Sequence, residues 1–151
     1  MTAPTPYGIV GPDPESLALA YFTPLMSPVP VTTRLPKPAA RADTVTPWLR
    51  LEAGGGFMRD DEIMFDLSLI LHSYAPQNEE PAAAKNLRTA LGYGARGIYT
   101  FTVTDDDGVD WWVAHSKVQG NLFKQNDPLV NMPRYKAMLM WRIPGHALAV
   151  S

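Results

Sequence analysis

The chain contains no cysteine. Disulfide bonds and thiolate metal sites are therefore excluded, and the redox state of its compartment is left open. An excess of one charge is also lacking: 13 Lys and Arg stand against 15 Asp and Glu, a formal net charge of −2. That balance gives no general pull toward nucleic acid, whose binders carry a basic excess. Histidine is limited to His72, His115 and His146, and no two of them stand at a metal-ligand spacing. No apolar run approaches the roughly 20 residues needed to cross a bilayer. The opening "MTAPTPYGIV" has no basic start ahead of an apolar stretch, so no secretory signal is expected there. The expectation is a soluble protein that stays where it is made.

What is present suits one globular domain. The 151 residues are 46% hydrophobic and 19% charged, enough apolar material for a real core without staples. The unusual feature is proline, with 15 residues concentrated in "TAPTPYGIVGPDP", "SPVP" and "RLPKP". Such segments run extended over another surface rather than inside a sheet. Residues 1–12 read as a proline-rich N-terminal extension and 13–151 as the domain. The stretch "VTTRLPKP" opens as a strand and is stopped by Pro36 and Pro38, which offer no N–H to a ladder. Arg34 and Lys37 ride on this stiff arm.

Periodicity supplies the elements. "DPESLALAYFTPLM" predicts a helix with Asp13 as N-cap, Pro14 at the first position and Glu15 near the positive end of the dipole. Its apolar face is expected at Leu17, Ala20, Tyr21 and Leu25, with Pro24 ending or kinking it before the last turn. "PWLRLEA" alternates, with Leu49, Leu51 and Ala53 facing opposite to Trp48, Arg50 and Glu52. Gly54 to Gly56 then open a loop that carries Phe57, Met58 and Arg59. "EIMFDLSLILHSYA" is the clearest strand, with Ile63, Phe65, Leu67, Leu69 and Leu71 on a wholly apolar face that must be core. "NEEPAAAKNLRTALGYG" predicts a second helix with the stripe Ala84, Leu87, Ala90 and Leu91, stopped at Gly92 or Gly94. A hairpin follows, in which Tyr99, Phe101 and Val103 lead to a turn at Asp105–Gly108 and Val109, Trp111 and Val113 return. The last strand, "RYKAMLMWRI", turns Tyr135, Ala137, Leu139, Trp141 and Ile143 one way and Lys136, Met138, Met140 and Arg142 the other. This order implies an α+β fold, a mixed, mostly antiparallel sheet with two helices packed on one face.

The residues offer no reaction. "DDDGVD" lacks the alternating ligands and distal glutamate of a calcium loop and falls where a hairpin turns. The glycine run is followed neither by a lysine–hydroxyl pair nor by a helix start, so it is no phosphate loop. His115 and Ser116 are strand neighbours and point to opposite faces, while Ser68 and His72 are too far apart along one strand. No catalytic residue, cofactor or metal is expected.

The surplus lies elsewhere. Trp48 sits beside Arg50, Met138 and Met140 lie between Lys136 and Arg142, and Trp112 points opposite the inward Trp111. Met, Trp and Arg are the types enriched at protein interfaces. Two helices cover one face of such a sheet, which leaves the other for a partner.

The capped first helix, "VTTRLPKP", the strand ending in glycines "WLRLEAGGG", the long strand "EIMFDLSLILHSYA", the alanine-rich helix and the late strand "PRYKAMLMWRI" together resemble the tail terminator proteins of long-tailed phages, particularly those infecting actinobacteria. The likeness spans about Asp13 to Ile143 and rests on element order, length and the Thr-Arg-x-Pro signature. It implies a non-catalytic virion protein at the tail–neck junction, assembled in the host cytoplasm. Such a protein forms a homohexameric ring that caps the head-proximal end of the tail tube, stops its polymerisation and offers the surface for head joining. Implied partners are further copies of itself, the tail tube protein and a head-closure or connector protein, with DNA passing through a neutral or acidic lumen without specific binding. Arg34, Lys37, Trp48, Arg50, Phe57, Arg59, Trp112, Arg134, Met138 and Met140 are the expected subunit or tube contacts. The competing expectations are another neck component, namely a head-closure or head–tail adaptor protein, and a small-ligand or enzyme domain on the same architecture.

Overall fold

A computed structural model describes residues 8–34, 46–58, 64–124 and 132–148. The fold is α+β. Its elements are β1 (Gly8–Val10), α1 (Pro14–Met26), β2 (Val31–Thr32), β3 (Trp48–Met58) and β4 (Met64–Tyr74). A 3-10 turn at Gln77–Glu79 leads into α2 (Glu80–Gly94), which is followed by β5 (Phe101–Thr104), β6 (Asp110–Val113), β7 (His115–Lys124), β8 (Arg134–Pro144) and β9 (His146–Leu148). The main sheet has five strands in the order β2-β3-β4-β8-β7, antiparallel except for the short parallel pair β2–β3.

The long strands alternate as the sequence requires. Leu49 and Leu51 on β3, Leu67, Leu69 and Leu71 on β4, and Ala137, Leu139, Trp141 and Ile143 on β8 are all buried on one face. Both helices cover that face: Leu17, Ala18, Phe22 and Met26 of α1 and Leu87 and Ala90 of α2 belong to the same core. The α1 stripe differs from the periodicity estimate. Ala20 and Tyr21 are only half-buried and Leu25 is exposed, because the helix turns Phe22 and Met26 inward. Pro24 lies inside the helix, which runs on to Met26, and the Asp13 side chain makes no capping hydrogen bond.

Three further elements depart from expectation. Gly54–Gly56 do not open a loop; β3 runs through them to Met58, with a register shift between Ala53 and Gly55. A Cβ at Gly54 would stand 3.2 Å from the Ser68 Cβ and 3.3 Å from Ile70 Cγ1, so that close strand approach favours glycine there. The β5–β6 hairpin is a separate two-stranded sheet, sealed on the core by Val103, Trp111 and Val113, and the chain re-enters the main sheet only at β7. Tyr99 precedes β5 and is exposed rather than inward. Finally, part of the N-terminal extension is structured, since β1 pairs with β9 through Gly8↔Leu148, Ile9↔Ala147 and Val10↔His146. The turn at Asp105–Gly108 is as read: Asp105 Oδ1 accepts from the Asp107 and Val109 backbone N–H groups, each at 2.9 Å, and Trp111 Nε1 donates to Oδ2 at 2.9 Å.

α2 ends against the core at Gly94. Trp141 Nε1 donates to the Gly94 carbonyl at 2.8 Å. A Cβ at Gly94 would come within 2.7 Å of Leu139 Cδ2 and 2.9 Å of Phe22 Cζ, both fully buried side chains. Gly94→Ala is expected to cost about 1–3 kcal/mol through overpacking. Urea denaturation of the variant checks this, and an unchanged midpoint would mean the helix end can shift freely.

Candidate functional site: the open face of the sheet

The face of the main sheet opposite the helices carries the even-numbered residues of β4 and β8, and those of β3 up to Glu52, where the register shift intervenes, because strand side chains alternate. Register brings them together. Trp48 lies opposite Tyr74, Arg50 opposite His72 and Glu52 opposite Ile70 across β3–β4. Across β4–β8, Tyr74 faces Arg134, His72 faces Lys136, Ile70 faces Met138, Ser68 faces Met140 and Asp66 faces Arg142.

At one end of these strands the side chains form a tight aromatic and ionic cluster. The Trp48 and Tyr74 rings stack at 4.1 Å with an 8° interplanar angle. His72, 2% exposed, contacts the Glu52 carboxylate through Nε2 at 2.7 Å, and Arg134 Nη1 stands 3.5 Å from its Nδ1. A guanidinium only donates, so Nδ1 is the acceptor and Nε2–H donates to Glu52. Arg50 Nη1 lies 3.6 Å from the same Glu52 carboxylate. Burial pushes the His72 pKa down to about 4, and the Arg50 and Arg134 charges push the same way. The Glu52 hydrogen bond and charge act in the opposite direction and lose, since removing the imidazolium from water costs more than one partly exposed carboxylate returns. His72 is thus neutral at pH 7. With both nitrogens engaged it fixes Glu52 and Arg134 in place; it has no proton to give.

Further along, Arg142 grips Asp66 with two donors, Nε to Oδ1 at 2.9 Å and Nη2 to Oδ2 at 3.3 Å. Ser68 Oγ donates to Gln119 Oε1 of β7 at 2.9 Å. Met64, Ile70 and Met138 are half-buried between these polar groups. Among the described residues no group of three or more His, Asp or Glu could hold a metal ion.

The expected contact residues divide accordingly. Trp48, Arg50, Arg134, Met138 and Met140 do share this face. Trp48, Arg134 and Met140 are, however, already buried by their own chain, and Arg50 and Met138 are half-buried. Arg34 is exposed just past β2, where its backbone N–H donates to Thr32 Oγ1 at 3.2 Å. Trp112 is 50% exposed, but it belongs to the β5–β6 hairpin and not to this face. Phe57 lies on β3 opposite Asp66, and its side chain, like Lys37 and Arg59, lies outside the described residues.

Sequence reasoning missed Glu52, His72 and Tyr74 as members of one cluster. Alternation placed each on the correct face of its own strand; only register sets Arg50 opposite His72. No protein-family model matches this chain, and no curated protein matches it in sequence.

Proposed function

We propose that the chain is a ring-forming structural protein with the role of a phage tail terminator, capping the tail tube at the tail–neck junction and presenting the surface for head joining. The observation that supports the reading is the state of the two sheet edges. Among the described residues, β2 shields β3 only at Leu49 and Arg50. Among the described residues, the outer side of β7 carries a single bridge, Gly97↔Ser116. Long open edges are templates for adding another strand. β3 and β7 lie at opposite sides of the sheet, and the alternation β3–β4–β8–β7 makes them run in opposite directions. β7 of one copy can therefore extend β3 of the next as an antiparallel pair. The patches are different, so the contact is heterologous and closes into a ring when its rotation divides a full turn.

A cap needs one side that matches the last tube ring and another side that does not, which a ring of head-to-tail subunits provides. On this reading Arg34, exposed on the arm after β2, reaches an acidic group of a neighbour or of the tube. Proline stiffness lowers the entropy lost when such an arm docks.

Negative-stain imaging of the purified protein, with and without tail-tube polymers, tests the reading. The expected images show closed rings seated on tube ends. A monomer at micromolar concentration that ignores tubes would overturn it, and rings that bind heads but not tubes would mark a head-closure protein instead. Arg34→Glu is expected to reduce ring or tube association about tenfold, a loss near 1.4 kcal/mol, with an unchanged melting temperature. Normal assembly by that variant would remove Arg34 from the interface.

A further inference from the structure

α1 and β5 leave between them a groove of about 310 Å³, lined by Ala20, Tyr21, Pro24, Leu25, Thr102 and Thr104. On the neighbouring β6, Trp112 stands opposite Thr102 and Asp110 opposite Thr104. Leu25 and Trp112 are exposed apolar side chains. The hairpin turn lies beside the start of α1, where Ser16 Oγ donates to Asp106 Oδ2 at 3.2 Å, and Thr104 Oγ1 donates to Asp110 Oδ1 at 2.6 Å. The groove therefore runs from an apolar end at Leu25 and Trp112 to an acidic end beside Asp105, Asp106, Asp107 and Asp110. Arg96, 5.3 Å over the Phe101 ring, marks the opposite end from the acids. No Lys or Arg among the described residues pairs with those four carboxylates. Aromatic rings beside an acidic rim suit a basic, proline-rich peptide, whose prolines lie on the rings while its cations meet the acids.

We propose that this groove receives the proline-rich arm of a second copy of the chain, the stretch RLPKP at 34–38. Charge and chain length both choose that occupant. Arg34 and Lys37 supply cations for the acidic end, and Leu35, Pro36 and Pro38 supply apolar groups for the rings. The arm belongs to the 15 residues, 33–47, that connect β2 to β3. Because Thr32 pairs with Arg50, the ends of that connection are only about 8 Å apart at ordinary strand spacings. A connection of this length can reach roughly 25 Å out and back. Its origin favours a neighbour over the same chain. The arm leaves β2 at the β3 edge of the sheet, whereas the hairpin is joined near the other edge, through Ala114 N–H to the Arg142 carbonyl at 2.9 Å and the bridge of Gly97 to Ser116. An arm on one side and its receptor on the other is the arrangement a head-to-tail contact requires. The inference rests on the ring reading for the copy that brings the arm; the fit of groove to peptide stands apart from it.

The test uses the full-length, nitrogen-15-labelled chain carrying Pro36→Ala, Lys37→Glu and Pro38→Ala, whose own arm no longer fits the groove. Trp112→Phe in that background assigns the Trp112 indole peak. A synthetic peptide of residues 33–41, TRLPKPAAR, is expected to move this peak in a saturable way. The Trp141 indole, buried and donating to the Gly94 carbonyl, stays in place and reports an intact fold. Replacing Arg34, Lys37 and Arg41 of the peptide by glutamate should weaken binding about tenfold, and Asp107→Lys in the protein should do the same. Dilution of the wild-type chain without peptide is expected to move its Trp112 peak toward that of the arm variant as copies part. The groove is overturned if the peptide leaves Trp112 unmoved, or if the reversed peptide or Asp107→Lys binds as well as the wild type. A wild-type Trp112 peak that keeps one position at every dilution overturns the second copy as the source of the arm. Rings on tube ends without a peptide shift would sink the groove and leave the ring reading. A peptide shift and a dilution-dependent peak in a chain that forms no rings would do the reverse.

Discussion

Trp141→Ala is expected to lower the unfolding free energy by about 3–5 kcal/mol, a large share of the roughly 5–15 kcal/mol that holds a domain together. Trp141 is fully buried at the centre of β8. Its ring lies 5.3 Å from Tyr21 and 5.6 Å from Phe101, both edge-on, and 6.0 Å from Phe22 in a stacked arrangement. It therefore joins α1, the β5–β6 hairpin and the main sheet in one aromatic cluster. Its Nε1–H also ties down the end of α2 through the Gly94 carbonyl. Truncation leaves a cavity among three elements and a buried carbonyl without its donor, two penalties of different origin. Urea denaturation measures the loss as a lower midpoint at constant slope. Trp141→Phe separates the two penalties, since it keeps most of the ring and loses the hydrogen bond. If Trp141→Ala lost less than about 1 kcal/mol, the cluster would not be what joins the helices to the sheet.

The second large effect is a pH dependence set by His72. Its folded pKa is about 4, below the ordinary value of 6.5. Between those two values the unfolded chain binds a proton that the folded chain refuses, so stability falls as pH drops through the window. The loss amounts to about 3 kcal/mol by pH 4, from some 1.4 kcal/mol per pKa unit. His72→Gln is expected to remove the slope, whatever its own cost at pH 7. The other shifted carboxyls act elsewhere. Glu80, lowered chiefly by its hydrogen bond with Lys124, and Asp105, lowered chiefly by the Trp111 indole, begin to lose their contributions only as pH falls through their ordinary values of 4.5 and 3.8. Chemical denaturation at intervals from pH 7 to pH 4 checks the assignment. A flat wild-type profile would mean that the imidazolium finds water or a relaxed Arg134 in the folded state.

These two side chains differ in how far the sequence had announced them. Trp141 sits in a period-2 strand whose inward positions are all apolar, and its burial follows from alternation alone. His72 occupies the mixed face of an equally clear strand. Nothing local distinguishes a histidine facing solvent from one held between Glu52 and Arg134, because its partners come from β3 and β8. Trp48 and Met140 illustrate the same limit. Their composition resembles an interface, yet Tyr74 and the neighbouring strands of the same chain already cover them. The glycine run misled for a related reason. Gly54 reads locally as a breaker, whereas in the sheet it lies where Ser68 and Ile70 stand close and leave little room for a side chain.

The sequence by itself determined the α+β class, the two helices, the long strands and which side of β3, β4 and β8 turns to the core. Those properties depend on helical and strand periods and on turn residues, all local. Only the tertiary structure decided the strand order, the placing of β3 and β7 toward opposite sides of the sheet, the return of Gly8–Val10 to pair with β9, and the meeting of Trp48, Arg50, Glu52, His72 and Arg134. Each depends on register between segments distant in the chain, and register is fixed by the joint packing of the whole core rather than by any stretch of residues within it.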